Sequence, residues 1–326
     1  MSFTKNSAPV QSAEAGYLDR TTKEPRQASE VLRAYDGSTV VIRMLRSAHW
    51  GPELMNLGYS HGYFGFGRLI NAFRTLSSSQ RTLAFRAIGL MEVAAGDAVL
   101  DIACGRGGSS FMIRHSTPAA MVHAIDLLDE NIHIAHRIFP NDQALTFTQG
   151  NAQALQFPDG TFQRVLCCEA AFHFPDRAQF LREAARVLAP GGQLVVVDFV
   201  WNSKSHRQHL DHPQTRIVRD IWEWDDLATE EEYHVNSQSA GLEFAKSEDW
   251  TRRVTLPLQR RMEVLVWLSH RAWGRRLMSR FKPLFASMND EDWNQLRIAS
   301  EAHRFIHDLT QYKAFVFRKP MGDSVL

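Results

Sequence analysis

The sequence predicts an α/β protein built on a doubly wound, mostly parallel sheet, and three observations carry that prediction. Short apolar runs alternate with segments of helical periodicity between residues 69 and 200. Three of those runs end in an acid, at Asp101, Asp126 and Asp198. The first is followed by a glycine turn, Gly105-Arg106-Gly107-Gly108, and a helix-compatible run begins at Ser109. Open α/β sheets bind their ligands beyond the carboxyl ends of the strands, which is where these acids fall.

Taken in order, residues 1–28 are rich in small and polar types and read as a disordered leader. Residues 29–79 read as an N-terminal helical lid. They carry apolar residues at helix-like spacing, then His49 to Tyr59, then a glycine/aromatic patch from Tyr63 to Gly67. Such a patch can fold over a flat ligand or tuck against the core. Leu69 to Val93 reads as the helix that leads to strand one. Strand two, Met121 to Ile125, ends in Asp126, and an acid about 20 residues past a glycine loop can accept both ribose hydroxyls. Strand three, Leu145 to Gln149, runs into Gly150-Asn151-Ala152. Strand four, Arg164 to Cys168, ends in Glu169, with His173 just beyond it. A helix from Phe180 to Leu188 stops at the breaker cluster Ala189-Pro190-Gly191-Gly192, and strand five, Gln193 to Val197, ends in Asp198.

The α/β core thus occupies 80–200. Residues 201–311 read as cap insertions around strand six (about 242–251), and 312–326 as the last strand and tail. Within the cap, residues 220–232 hold seven acids, whereas 252–282 hold eight Arg and Lys282 against Glu263 alone. The expectation is a basic helix that forms part of a lid and pairs with the acidic segment, the competing role being contact with a membrane surface or an anionic substrate.

Composition narrows the function. Across 326 residues the net charge is +1, which gives no global field for nucleic acid or membrane. No apolar run reaches transmembrane length. Cys104, Cys167 and Cys168 have neither metal-ligand nor disulfide spacing, so a reducing cytoplasm is expected. His206, His209 and His212 beside Asp211 invite a metal, but Pro213 interrupts them and no second cluster completes a site.

The glycine turn decides the ligand class. Gly105, Gly107 and Gly108 let a ligand approach the backbone, and the helix start behind them offers N–H groups. Yet Ser110 stands where the third glycine of G-x-G-x-x-G would be, and Asp101 beside the loop repels phosphate and attracts an ammonium. This argues against an NAD(P)-dependent oxidoreductase and for a cationic nucleoside.

Asp101 to Gly107 resembles motif I of the class I S-adenosylmethionine (SAM) methyltransferases, D-x-G-C-G-x-G, with Ala103 where a glycine is usual. Four further stretches are similar to that family. Leu57-Gly58-Tyr59 matches an L-G-Y segment that covers the SAM pocket, and Gly150-Asn151-Ala152 matches G-D-A with Asn151 in place of the acid. Glu169 to Asp176 matches E-x-x-x-H-x-x-D of the quinone, tocopherol and natural-product sugar methyltransferases, and Leu188 to Asp198 matches L-x-P-G-G-x-L-x-x-x-D. The resemblance implies a Rossmann-like sheet of seven strands, the last antiparallel, under an α-helical cap.

It further implies SAM as cofactor and S-adenosylhomocysteine as product. The cofactor residues would be Asp101, Ala103, Gly105, Gly107, Asp126, Leu127, Asn151, Ala152, Glu169 and Tyr59. His173 is expected as the base and Asp198 as its catalytic partner. The acceptor would be a small lipophilic molecule methylated at oxygen, with a carbon acceptor as alternative. A non-catalytic SAM-binding module is the other competing class, and a homo-oligomer is compatible with either.

Overall fold

The computed structural model describes residues 39–47, 53–60, 76–117, 120–140, 142–281 and 283–321. The predicted leader, the patch from Tyr63 to Gly67 and the start of the Leu69–Val93 helix lie outside the described residues. Seven strands form one sheet: β1 (Ala98–Ile102), β2 (Met121–Asp126), β3 (Leu145–Gln149), β4 (Phe162–Cys168), β5 (Leu188–Trp201), β6 (Glu243–Asp249) and β7 (Thr310–Arg318). Their order is β3-β2-β1-β4-β5-β7-β6. The first five pair in parallel, and β7 runs antiparallel between β5 and β6.

The central strands are predominantly apolar because helices cover both faces. In β5 the side chains of Val195 and Val197 enter one core cluster, and those of Leu194, Val196 and Val200 enter the other. The first cluster packs under α2 (Leu76–Met91), α3 (Gly108–Ser116) and α4 (Asp129–Ile138), the second under α5 (Arg177–Val187) and α7 (Glu230–Ser239). At the outer edge, β6 is largely exposed and carries Glu243, Lys246, Glu248 and Asp249, charges that oppose strand addition there. β5 begins five residues earlier than the sequence predicts. The breaker cluster Ala189–Gly192 bulges between the Phe162–Leu188 and Arg164–Gln193 pairs without ending the strand.

The remaining helices sit at the carboxyl end of the sheet and over its β5–β7 side. α1 (Val40–Ser47), α6 (Pro213–Trp222), α8 (Thr255–Ser269), α9 (Ala272–Phe281), α10 (Pro283–Ser287) and α11 (Asp290–His307) share a core built around Ile42, Ile221, Met262, Trp293 and Leu296. Capping boxes start two helices, Thr229/Glu232 for α7 and Asn289/Asp292 for α11. Asp292 is also the partner of Arg43 on α1.

Four acids of the 220–232 segment pair with cations outside the basic stretch. Asp226 and Glu232 both pair with Arg207, Glu231 with Lys204 and Glu230 with Lys313. These acids neutralise cations that flank the sheet, so their charge is not spent on the basic 252–282 stretch. No described helix is long and apolar enough to cross a membrane, and no described group of His, Cys, Asp and Glu could hold a metal ion.

Candidate active site

The chain runs outward through β1, β2 and β3, then crosses back to start β4 on the other side of β1. A crevice opens at such a reversal because the connections leave in opposite directions. A cleft of about 1660 Å³, counting its open mouth, occupies that crevice. Of the residues singled out by the sequence, Asp101, Ala103, Gly105, Asp126, Leu127, Asn151, Ala152, Glu169 and His173 line it. Gly107, Tyr59 and Asp198 do not.

The loop after β1 is held in left-handed backbone. Ala103 has φ 56°, in the region that favours glycine, which accounts for the glycine usual at this position in similar sequences. Gly107 has φ 84°, and a Cβ there would lie 2.5 Å from the Phe147 ring, so its glycine answers to protein packing and not to a ligand. The loop's N–H groups are consumed internally. Gly105 donates to Asp126 Oδ2 at 2.8 Å, Gly107 to the Cys104 carbonyl and Gly108 to the Glu53 carbonyl. The sequence expectation of N–H groups open at the helix start therefore fails at Gly108. Beside that loop the cleft presents the carboxylates of Asp101 and Asp126, which disfavour a pyrophosphate.

Asp101 is buried and accepts from the Ser109 and Ser110 hydroxyls, both at 2.6 Å on Oδ2. Burial pushes its carboxyl up to about 6, with the two hydroxyls opposing the shift. Asp126 accepts from Gly105, from the Leu128 N–H at 2.9 Å and from Asn131 Nδ2 at 3.1 Å; burial raises its pKa as well. Asn151 Oδ1 takes the Gln153 N–H at 2.9 Å, so its carbonyl closes a turn and keeps a second lone pair.

Beyond β4 the chain makes one turn of 3-10 helix, Ala171–His173. His173 Nδ1 lies 2.9 Å from the Glu223 carbonyl oxygen. A carbonyl only accepts, so Nδ1 carries a proton and donates, and in the neutral ring the lone pair sits on Nε2. Glu223 is the left-handed residue (φ 47°) that ends α6. Arg177 donates to the Phe172 carbonyl at 3.2 Å, and the Phe172 N–H donates to Asp198 Oδ1 at 3.2 Å.

Asp198 does not reach the cleft beside His173, contrary to the sequence expectation. Alternation along β5 turns it to the same face as Val196 and Val200, where it is 0 % exposed. Its other oxygen accepts from Tyr233 Oη at 2.5 Å, and Arg177 Nε lies 3.9 Å away. Burial raises its pKa to about 6, against the pull of Arg177. It anchors the 171–173 turn from behind.

Tyr59 is likewise displaced from its expected place. It is buried edge-on to Trp250 with the Arg86 guanidinium over its ring. The segment it belongs to does reach the cleft, through Glu53, Leu54, Met55 and Asn56. Gln80 Nε2 donates to the Leu54 and Asn56 carbonyls, and Gly58 (φ 82°) lets the chain lie against Ser79, where a Cβ would come within 2.9 Å. Glu169 ties the segment down by accepting from the Leu57 N–H and from the Tyr312 hydroxyl. Burial raises the Glu169 pKa to about 7, opposed by those bonds.

A second, apolar cavity of about 660 Å³, counting its open mouth, adjoins this wall, lined chiefly by Leu57, Phe172, Phe199, Trp222, Trp224 and Met262. Leu57 and Phe172 face it while their neighbours Asn56 and His173 face the cleft. Sequence reasoning missed this cavity, along with Glu223, Tyr233 and Tyr312 as partners of His173, Asp198 and Glu169. None of these carries a motif.

Comparison with known proteins agrees with this architecture. The chain is 36 % identical over 169 residues to 2-methyl-6-phytyl-1,4-hydroquinone methyltransferase of Synechocystis; the match covers 50 % of this chain and 52 % of that relative, about half its length. It is 29 % identical over 225 residues to 27-O-demethylrifamycin SV methyltransferase of Amycolatopsis mediterranei, covering 68 % of this chain and 76 % of that one. Among solved structures, the [4+2]-cyclase SpnF superposes with TM-score 0.65 at 19 % identity, covering 91 % of this chain and 99 % of that one. That likeness concerns the fold alone. Residues 100–196 match the family model described as "Methyltransferase domain".

Proposed function

We propose that the protein transfers the methyl group of SAM to an oxygen of a small, lipophilic acceptor. The observation that carries this reading is the His173 turn, which puts a base on the wall between a carboxylate-lined cleft and an apolar cavity. The cleft's chemistry fits a cationic nucleoside. Asp126 suits ribose hydroxyls, Asn151 and Ala152 suit adenine, and Asp101 and the Ala103–Gly105 backbone suit the aminoacyl end. SAM, when bound, supplies an electrophilic methyl on a sulfonium.

What the chain does is orient and move one proton. Holding an acceptor oxygen in line with the cleft converts a bimolecular step into one within a complex. With Nδ1 donating to Glu223, the neutral ring of His173 carries its lone pair on Nε2, which can take the acceptor's hydroxyl proton as the oxygen attacks. Asp198 acts as a positioning residue through the Phe172 N–H. Leu57, Glu169 and Phe172 form the partition that keeps the acceptor's apolar body out of the nucleoside cleft. Two relatives are named for a phytyl hydroquinone and a 27-O-demethylrifamycin, acceptors that carry oxygens, which supports this reading.

The test uses the purified full chain with labelled SAM and an organic extract of the source cells. The expected outcome is a product heavier by one methylene whose formation requires His173. SAM binding by calorimetry with no transfer to any extract component would instead favour the non-catalytic module.

A further inference from the structure

The basic stretch of the cap, whose charge the proposed reaction does not use, folds as a helical hairpin in which α8 runs into α9. Four of the acids expected to balance it pair instead with Arg207, Lys204 and Lys313. At helical spacing α8 presents a stripe of Arg260, Val264 and Trp267, which Arg271 continues just past the helix end. A matching stripe on α9 holds Trp273, Arg276, Leu277 and Arg280. All of these side chains are exposed except Arg271, which is half-buried with its guanidinium over the Trp267 ring, 3.9 Å from the ring centre. The stripes meet where Trp267 stands edge-on to Trp273, ring centres 6.0 Å apart.

Single exposed apolar residues are ordinary, whereas a contiguous group marks an interaction surface. Here Trp267 and Trp273 are 51 % and 54 % exposed, and Val264 and Leu277 flank them. Neither stripe carries an acid. Glu263, beside Val264, accepts from Gln259 Nε2 at 3.0 Å, and Arg275 leaves the α9 stripe to pair with Asp290. Arginine stays charged at any ordinary pH and suits phosphate oxygens, while an indole is apolar with one polar edge.

We propose that this hairpin docks on an anionic phospholipid surface, with the two indoles at the boundary of headgroups and acyl chains and the arginines on lipid phosphates. The chain then lies on the membrane, and no described helix is long and apolar enough to span it. A second copy of the chain fits this face poorly, because a two-fold axis through it would set arginine against arginine. The other side of α8 supplies Leu258 and Met262 to the apolar cavity, so one helix, about 10 Å across, separates lipid from cavity. That a lipophilic acceptor is drawn from the bilayer rests on the proposed function; the docking itself does not.

The test is co-sedimentation of the full chain, without SAM or acceptor, with vesicles of phosphatidylcholine alone or mixed with phosphatidylglycerol, read together with tryptophan emission. Binding to the anionic vesicles is expected to be at least about tenfold tighter, to weaken with salt and to shift the emission to the blue. Arg276→Glu with Arg280→Glu should lower that affinity by about 25-fold or more, each arginine near such a surface being worth roughly fivefold. Trp267→Ala with Trp273→Ala should lose about tenfold and the blue shift. Arg182→Glu, an exposed charge reversal on α5, should change binding by less than about twofold. Equal binding to both vesicle types, no blue shift in wild type, or an Arg182→Glu loss as large as that of the hairpin pair overturns the proposal. Self-association without vesicles that the hairpin variants abolish would make a second copy the occupant. Binding to soluble polyglutamate as tight as to vesicles would make it an acidic protein, and either result overturns the proposal too. Should a hairpin variant fail to fold, judged by its circular dichroism melt, the wild-type comparison between vesicle types still decides. Docking that persists in a protein transferring no methyl group would sink the proposed reaction and leave this assignment standing.

Discussion

The two compartments either side of the His173 turn are built on opposite principles. The cleft is lined by the carboxyl ends of consecutive strands, and most of its acids sit at those ends. The apolar cavity is enclosed by β5, β7 and helices α6, α8 and α11, which come together only when the cap packs. The cleft's acids are buried at an electrostatic cost, whereas the cavity's walls are stabilised by the burial that makes them. Ligand binding in the first offsets a strain already present; in the second it replaces water against apolar surface.

The largest expected effect lies on the boundary. His173→Ala should lower kcat by roughly 10²–10⁴. SAM affinity, read by calorimetry, should stay nearly constant, since the change touches proton transfer and not the nucleoside. Near-normal turnover would move the base elsewhere and break the division between compartments at its central point.

Two buried acids with similarly raised pKa values should respond in opposite directions. Asp198→Ala removes the partner of Arg177, Tyr233 and the Phe172 N–H together, and a loss of about 3–5 kcal/mol is expected in urea unfolding. Asp101→Asn keeps an oxygen for Ser109 and Ser110 while removing a charge that burial disfavours. Asp101 rises from 3.8 in the unfolded chain to about 6 in the fold, so the folded state holds its proton longer. Its favourable contribution is full below the unfolded value and is lost as pH rises through the folded one. The Asn variant should therefore match wild type near pH 4 and gain roughly 2–3 kcal/mol by pH 7.5, measured without ligand. It should at the same time bind SAM more weakly. A variant less stable than wild type at pH 7.5 would mean that Asp101 is a structural acid like Asp198.

The smallest effect is Ala103→Gly. Relief of the left-handed φ, less the extra entropy of an unfolded glycine, should raise stability by about 0.5–1 kcal/mol with SAM affinity unchanged. A melting temperature that falls would indicate that the Ala103 methyl packs in a way its φ does not reveal.

How far the sequence could be read follows the same division. Asp101, the glycine turn and Asp126 are legible because strand, turn and helix start lie within a short stretch, and the alternation of buried strands fixes where their ends point. The seven-strand order likewise follows from local signals together with the family resemblance. Asp198 was misplaced because a strand-terminal acid can face either side, and only the 35-residue reach to Tyr233 decides which. Tyr59 was misplaced because its neighbour Gly58 turns the chain before it. The partners of Glu169 lie 112 and 143 residues away, at Leu57 and Tyr312, and no pattern announces a contact at that range. The cavity was illegible for the same reason, since the cap's helices give periodicity but not their mutual packing.

The Glu223 carbonyl has a bearing on redesign. Trp222 and Trp224 shape the apolar cavity, and the residue between them orients the imidazole. A cap grafted from another enzyme would import new walls and, through this one peptide group, a new setting for the imidazole. Libraries confined to positions 222 and 224 should therefore change which molecule is chosen and how fast it reacts in the same stroke. Diversity placed on α8, at Leu258 or Met262, reaches the cavity from a helix that does not touch His173 through this link, and offers a route to altered selectivity with the imidazole left in register.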